Sequence, residues 1–320
     1  MIEINERNIK IWSTIGPRAT LGIVSLELVK QFEKFIILTS DVSTSAGLDR
    51  YRKNFPDNYL DVGIAEQNLI GVATGLASEN HNVLTTTFAP FQTIRCCEQI
   101  KVNLGYMKNK ICMVGLASGL VLGNLGFTHC CIEEIGILRS IPNINIVSPS
   151  DSLEVIKSLI EAIKTERSTY IRLTGATNNP IINKKDYDFK IGKSIILKEG
   201  KDVTIFSNGA ILNECLLAAD ELEKKRISTK VVNMHTIKPI DREEVINAKD
   251  SKLIVTVEEH NIIGGLGSAV SEINSSIKNS PKQIFIGIND TYSKAGSYDF
   301  LKNKYGLNKN NIVSEILSNL

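Results

Sequence analysis

Short β-branched runs alternate with helix-length segments from one end of this chain to the other, and this alternation restricts the fold more than any other feature. Residues 35–38, 83–86, 111–114, 144–147 and 169–172 read as strands, each bounded by helix-like or turn-rich stretches. The periodicity lapses at GATNNPIINKKDYDFKIGKS, residues 175–194, where Gly, Asn, Pro and Lys accumulate. It then resumes with strands at 203–206, 230–232, 253–257 and 284–286 and a helix over 214–226. The pattern predicts an α/β protein of two domains, residues 1–176 and 195–320 with a linker at 177–194, each a mostly parallel sheet flanked by helices.

Length and charge narrow the function classes. A chain of 320 residues is long enough for two cores, and 42% hydrophobic residues with a net charge of +2 give no pull toward nucleic acid or an anionic membrane. The first residues, MIEINERNIKIW, lack the apolar run of a signal peptide, and no stretch approaches membrane-spanning length, so a cytoplasmic protein is expected. Six cysteines include the adjacent pairs Cys96-Cys97 and Cys130-Cys131 but no Cys-x-x-Cys. Reduced, packed thiols are expected, and no metal ligands.

The most informative short segment is DVGIAEQN, residues 61–68. With Gly63 as helix N-cap, Glu66 falls at the third helical position, where a carboxylate interacts favourably with backbone N–H groups and the helix dipole. Leu69, Ile70, Ala73 and Ala77 follow on its face, so Glu66 heads an apolar stripe, whereas Gln67 and Asn68 lie on other faces. Such surroundings raise a carboxyl pKa and suit proton transfer to a bound base. Spacing alone leaves both readings open, a helix-start residue and a tuned proton donor.

DVGIAEQN, followed by Gly71 and Gly75, resembles the corresponding helix of the transketolase family of thiamine-diphosphate-dependent enzymes. TTTFAPFQTIRCCEQIK, residues 85–101, resembles that family's next strand and helix. GFTHCCIEEIGILRSIPNINIVSPSD, residues 126–151, resembles its substrate loop and following strand, and VEEHNIIGGLGSAV, residues 257–270, is similar to its carboxy-terminal domain. The resemblance thus spans nearly the whole chain in order, and it implies a pyrimidine-binding domain followed by a transketolase C-terminal domain.

The resemblance also implies roles. Glu66 would hydrogen-bond a ring nitrogen of the cofactor's aminopyrimidine and favour the imino tautomer that activates the thiazolium carbon. Phe88 and Phe91 would pack on the pyrimidine, with ring contacts worth roughly 0.5–1.5 kcal/mol beyond burial. Ile94 stands where the family has a third aromatic residue. His129 would contact substrate oxygens, its imidazole able to donate and to accept. His260 lies in a matching segment without a catalytic task, and His81 and His235 are expected to be structural.

Family members of full length hold the cofactor's diphosphate and Mg²⁺ through a Gly-Asp-Gly segment in a preceding domain, and this sequence contains no Gly-Asp-Gly. The expectation is a split enzyme: an N-terminal diphosphate-binding subunit as partner, Mg²⁺ held by that partner, and an α2β2 assembly. Transketolases of sugar phosphates carry charged or imidazole ligands where this chain has Ala117, Leu125 and Gly175, while Arg172 resembles a substrate arginine of deoxyxylulose phosphate synthases. Loss of charge-assisted contacts of about 1.5–3 kcal/mol each would weaken binding of a terminal phosphate. The expected reaction is transfer of a two-carbon ketol unit from a ketose to an aldose or modified-sugar acceptor. The alternatives are acyl transfer from or decarboxylation of a 2-oxo acid, as in a pyruvate dehydrogenase beta chain, and a noncatalytic regulatory subunit.

Overall fold

The computed structural model describes residues 2–320. Twelve strands run in chain order as β1 (Phe35–Thr39), β2 (Tyr59–Asp61), β3 (Asn82–Phe88), β4 (Ile111–Leu116), β5 (Ile144–Val147), β6 (Ser168–Arg172), β7 (Ile195–Lys198), β8 (Val203–Ser207), β9 (Thr229–Asn233), β10 (Thr236–Lys238), β11 (Leu253–Asn261) and β12 (Lys282–Ile288). They form a seven-stranded sheet of order β10-β5-β6-β4-β3-β1-β2 and a five-stranded sheet of order β12-β11-β8-β9-β7. All pairings are parallel except one edge strand in each sheet, β10 on β5 and β7 on β9.

The large sheet is buried on both faces, which is why its central strands read as β-branched and apolar runs with no polar alternation. On one face, Ile9, Trp12, Leu21, Val24 and Leu28 of the helix Glu6–Gln31 pack with Ile156 and Leu159 of the helix Ser152–Lys164 over Phe35, Ile37, Leu84 and Val114. On the other face, Leu69, Ile70 and Ala73 of the helix Glu66–Ser78 cover Leu38, Val83 and Met113. Burial of each such aliphatic side chain is worth about 1.5–3 kcal/mol.

The stretch 175–194 forms no helix or strand and runs along the large domain. Its backbone is fastened there: Asn178 and Asn179 donate N–H groups to Thr14 and Ser13 carbonyls at 3.1 and 3.0 Å. Gly16, in the left-handed region at φ +82, permits the approach, because a Cβ there would come within 2.7 Å of the Ala176 carbonyl oxygen. The second sheet follows, with the helix Leu212–Lys224 on one face and Leu266–Asn274 on the other.

One strand departs from a clean sequential division. β10 belongs by sequence to the second half but pairs antiparallel with β5, Thr236 facing Val147, and the Ser148 N–H bonds the His235 carbonyl at 2.7 Å. The carboxy-terminal half therefore supplies an outer strand of the first sheet.

Candidate active site

Three parallel strands of the large sheet, β4 and its neighbour β3 and, beyond β1, the edge strand β2, deliver the residues of interest. β2 ends at Asp61 and leads to Glu66, β3 ends at Phe88, and β4 leads into the loop that carries His129. The crevice beyond the carboxyl ends of parallel strands is the usual place for a ligand in such sheets.

The turn between β2 and the helix is built by Asp61. Its carboxylate accepts from the Thr39 hydroxyl at 2.7 Å and from the backbone N–H groups of Asp41 and Gly63 at 3.0 and 2.8 Å. Burial alone would raise the Asp61 pKa, but these hydrogen bonds outweigh it and hold the group below the usual carboxylate range. Gly63 follows in the left-handed region at φ +71. The turn is longer than expected from the sequence: Ala65, not Gly63, is the N-cap, and Glu66 is the first helical residue, not the third. The Asp61–Gly63 hydrogen bond commits Gly63 to the turn and moves the helix start onward by two residues.

Glu66 is buried, with Leu69, Ile70 and Ala73 below it and Gln67 and Asn68 exposed, as its periodicity implied. It also has a partner that periodicity did not reveal. The Arg95 guanidinium donates to Glu66 Oε1 at 2.7 Å and lies 4.0 Å from the centroid of the Phe91 ring. Arg95 sits on an irregular turn after β3, and its carbonyl accepts from Gln67 Nε2 at 3.2 Å, which fixes the backbone. The neighbouring Cys96 thiol donates to the Phe91 carbonyl, and burial with the nearby Glu66 charge pushes it up to about 12.

Phe88, Phe91 and His129 form a ring cluster. Phe91 meets Phe88 at 6.3 Å and His129 at 5.4 Å between centroids, all edge-on, and Phe88 lies 6.4 Å from His129. The three are half-buried. The loop that brings His129 here is pinned at its base by paired backbone hydrogen bonds between Gly119 and Cys131, 2.8 and 3.0 Å, and His129 Nδ1 is 3.0 Å from the Thr128 hydroxyl. Ile94 lies exposed beside Arg95, outside the ring cluster.

Arg172 does not join this group. It is fully enclosed, donating Nε to Glu134 Oε1 at 2.5 Å and Nη2 to the Glu259 and Cys131 carbonyls at 2.7 and 3.3 Å. Burial works against its charge, but Glu134 and Glu259 beside it outweigh burial and raise its pKa. The expectation that Arg172 faces substrate is corrected: it ties the first sheet to β11 of the second. Ala117 is likewise buried, whereas Leu125 is exposed at 56%. His260 is enclosed in the same junction, and burial followed by the Arg172 charge lowers it to about 3, so it stays neutral. His235 is buried with its ring stacked 4.3 Å from Phe189, and His81 contacts the Leu76 carbonyl.

All six cysteines are free, five of them buried. Among the described residues, no three His, Cys, Asp or Glu side chains converge as a metal site, and no helix is long and apolar enough to cross a membrane.

The family of transketolase pyrimidine-binding domains matches residues 14–177, and that of transketolase C-terminal domains matches residues 192–312. The chain belongs to the transketolase family. It is 36% identical over 295 residues to one of the subunits of the apulose-4-phosphate transketolase from Actinobacillus succinogenes, covering 92% of this chain and 94% of that one. It is 34% identical over 298 residues to the 6-deoxy-6-sulfo-D-fructose transketolase subunit of a Clostridium species, covering 92% of each. Among solved structures, a split gene transketolase described as an inactive beta4 tetramer superposes with a TM-score of 0.88 at 34% identity, over 96% of this chain and 98% of that one. Transketolases depend on thiamine diphosphate, and a buried carboxylate beside a half-exposed aromatic ring fits the flat, basic aminopyrimidine of that cofactor.

Proposed function

We propose that this chain is the C-terminal subunit of a split transketolase, transferring a two-carbon ketol unit from a ketose to an aldose or modified-sugar acceptor. The observation that carries the reading is the convergence of Glu66, Phe88, Phe91 and His129 beyond the ends of β2, β3 and β4. When bound, thiamine diphosphate supplies the carbon nucleophile. Glu66 holds and moves a proton at the aminopyrimidine ring, in a site where little water competes for its hydrogen bond. Phe88 and Phe91 fix the plane of that ring. His129, at their edge, donates to or accepts from substrate oxygens.

The diphosphate and Mg²⁺ are assigned to a separate N-terminal subunit in an α2β2 complex. The names of the two similar subunits and the near-complete match to a split gene transketolase support this division. Recognition of a terminal phosphate does not run through Ala117, Leu125, Gly175 or Arg172, since three are uncharged and the fourth is enclosed. The two relatives' names also carry uncommon sugars, in keeping with an unusual acceptor.

Glu66→Gln tests the assignment. The variant should assemble with the partner while ketol transfer falls by about 10²–10⁴-fold, the usual worth of a positioned acid–base group. Full turnover by the reconstituted Glu66→Gln pair would refute the role.

A further inference from the structure

Arg95 makes the two contacts that a flat heterocycle hydrogen-bonded to Glu66 would make at this site. Its guanidinium carbon lies over the Phe91 ring, 4.0 Å from the centroid, and the group donates to Glu66 Oε1 at 2.7 Å. The geometry points to Arg95 as a stand-in for the aminopyrimidine: its side chain closes the site in the free subunit and swings out when thiamine diphosphate arrives. The inference rests on the cofactor reading above and adds a gate to it.

Electrostatics gives the closed state its reason. Glu66 is 5% exposed at its side chain, and an ionised carboxylate so placed needs a partner when no ligand is bound. Arg95 provides that charge and covers the apolar face of Phe91, through a planar cation–π contact that a lysine would make less well. The incoming ring takes the place of the guanidinium on Phe91, and because the ring nitrogen that faces Glu66 is an acceptor, one proton is taken up from solvent between the two as the arginine leaves.

The arginine is also built to leave. Its backbone is held by the Arg95 N–H to the Pro90 carbonyl at 3.1 Å and by Gln67 on its own carbonyl, while its side chain is 42% exposed. Rotation about side-chain bonds moves the guanidinium into water without disturbing Phe91 or Glu66. The exposed arginine regains water on leaving, and the incoming ring keeps Glu66 from being left without a partner.

A gate of this kind lowers affinity by the fraction of time the site is open. The test is calorimetric titration of thiamine diphosphate, with Mg²⁺ present, into the complex of this chain with its N-terminal partner. Arg95→Ala should lower the apparent Kd about tenfold for a closed-to-open ratio of about ten, and Arg95→Lys, which keeps the charge but loses the plane, should lie between it and wild type. Added ethylguanidinium should raise the Kd of the Arg95→Ala complex back toward the wild-type value by refilling the space. An Arg95→Ala complex that binds no more tightly than wild type, or more weakly, overturns the gate while leaving the cofactor assignment intact. Absence of binding by both complexes overturns the cofactor reading and the gate together.

Discussion

Two arginine–glutamate pairs in this chain are alike in chemistry and opposite in setting. Arg95–Glu66 lies at the mouth of the candidate site with the arginine 42% exposed, and Arg172–Glu134 lies between the two sheets with neither side chain more than 1% exposed. Around Arg172, Nη2 is met by the Glu259 and Cys131 carbonyls. Around Arg95 the second contact is an aromatic face, which another flat group can take over. Residue type alone thus says little about an ion pair; what encloses it decides whether it is a fastening or an exchangeable occupant.

The contrast has measurable limits. The largest effect is expected from Arg172→Ala, which leaves Glu134 buried without its countercharge and should cost about 3–5 kcal/mol in denaturant unfolding. A loss below about 1 kcal/mol, the range of exposed pairs, would remove the distinction between the two.

A pH effect comes next, at the same junction. Glu258 accepts the Leu266 and Gly267 N–H groups at 2.7 and 2.8 Å, yet burial dominates and raises its pKa to about 7. The folded state therefore holds a proton that the unfolded chain, with an ordinary glutamate, has released. Stability from this group is full below about pH 4.3 and is lost as pH rises toward 7, a change on the order of 3–4 kcal/mol. Glu258→Gln should flatten that fall in a series of urea midpoints between about pH 3.5 and 7.5, a window that brackets the two pKa values, and an unchanged slope would place the titration elsewhere. The smallest effect is predicted for Arg95→Ala on stability, about 1 kcal/mol or less, because water enters where the guanidinium stood. A thermal melt of the isolated chain reads it directly, and a loss as large as that of Arg172→Ala would make both pairs structural.

Much of the fold was legible because the central strands are buried on both faces and so appear as runs rich in β-branched and apolar residues. All nine strands expected from the sequence are present, and the helix expected at 214–226 occupies Leu212–Lys224. The strands that went unrecognised, β2, β7 and β10, are edge strands of three or four residues, too short to carry a period; they exist because a neighbour offers a partner. At the site, the apolar face under Glu66 could be read from spacing, and the helix start could not, since it depends on where the Asp61 carboxylate bonds. Arg95 stood within a recognised segment, but its importance comes from meeting Glu66 across a turn. For Arg172, similarity located the residue type correctly and gave no information about its enclosure.

The outer strand β10 bears on how such a protein can be divided. A polypeptide cut within residues 177–194 would leave β5 with a bare backbone edge and would strand Thr236–Lys238 on the wrong fragment. Bare edges of this kind invite pairing with foreign chains. The two halves are stitched by a donated backbone strand as well as by side chains, so they are suited to synthesis as one molecule.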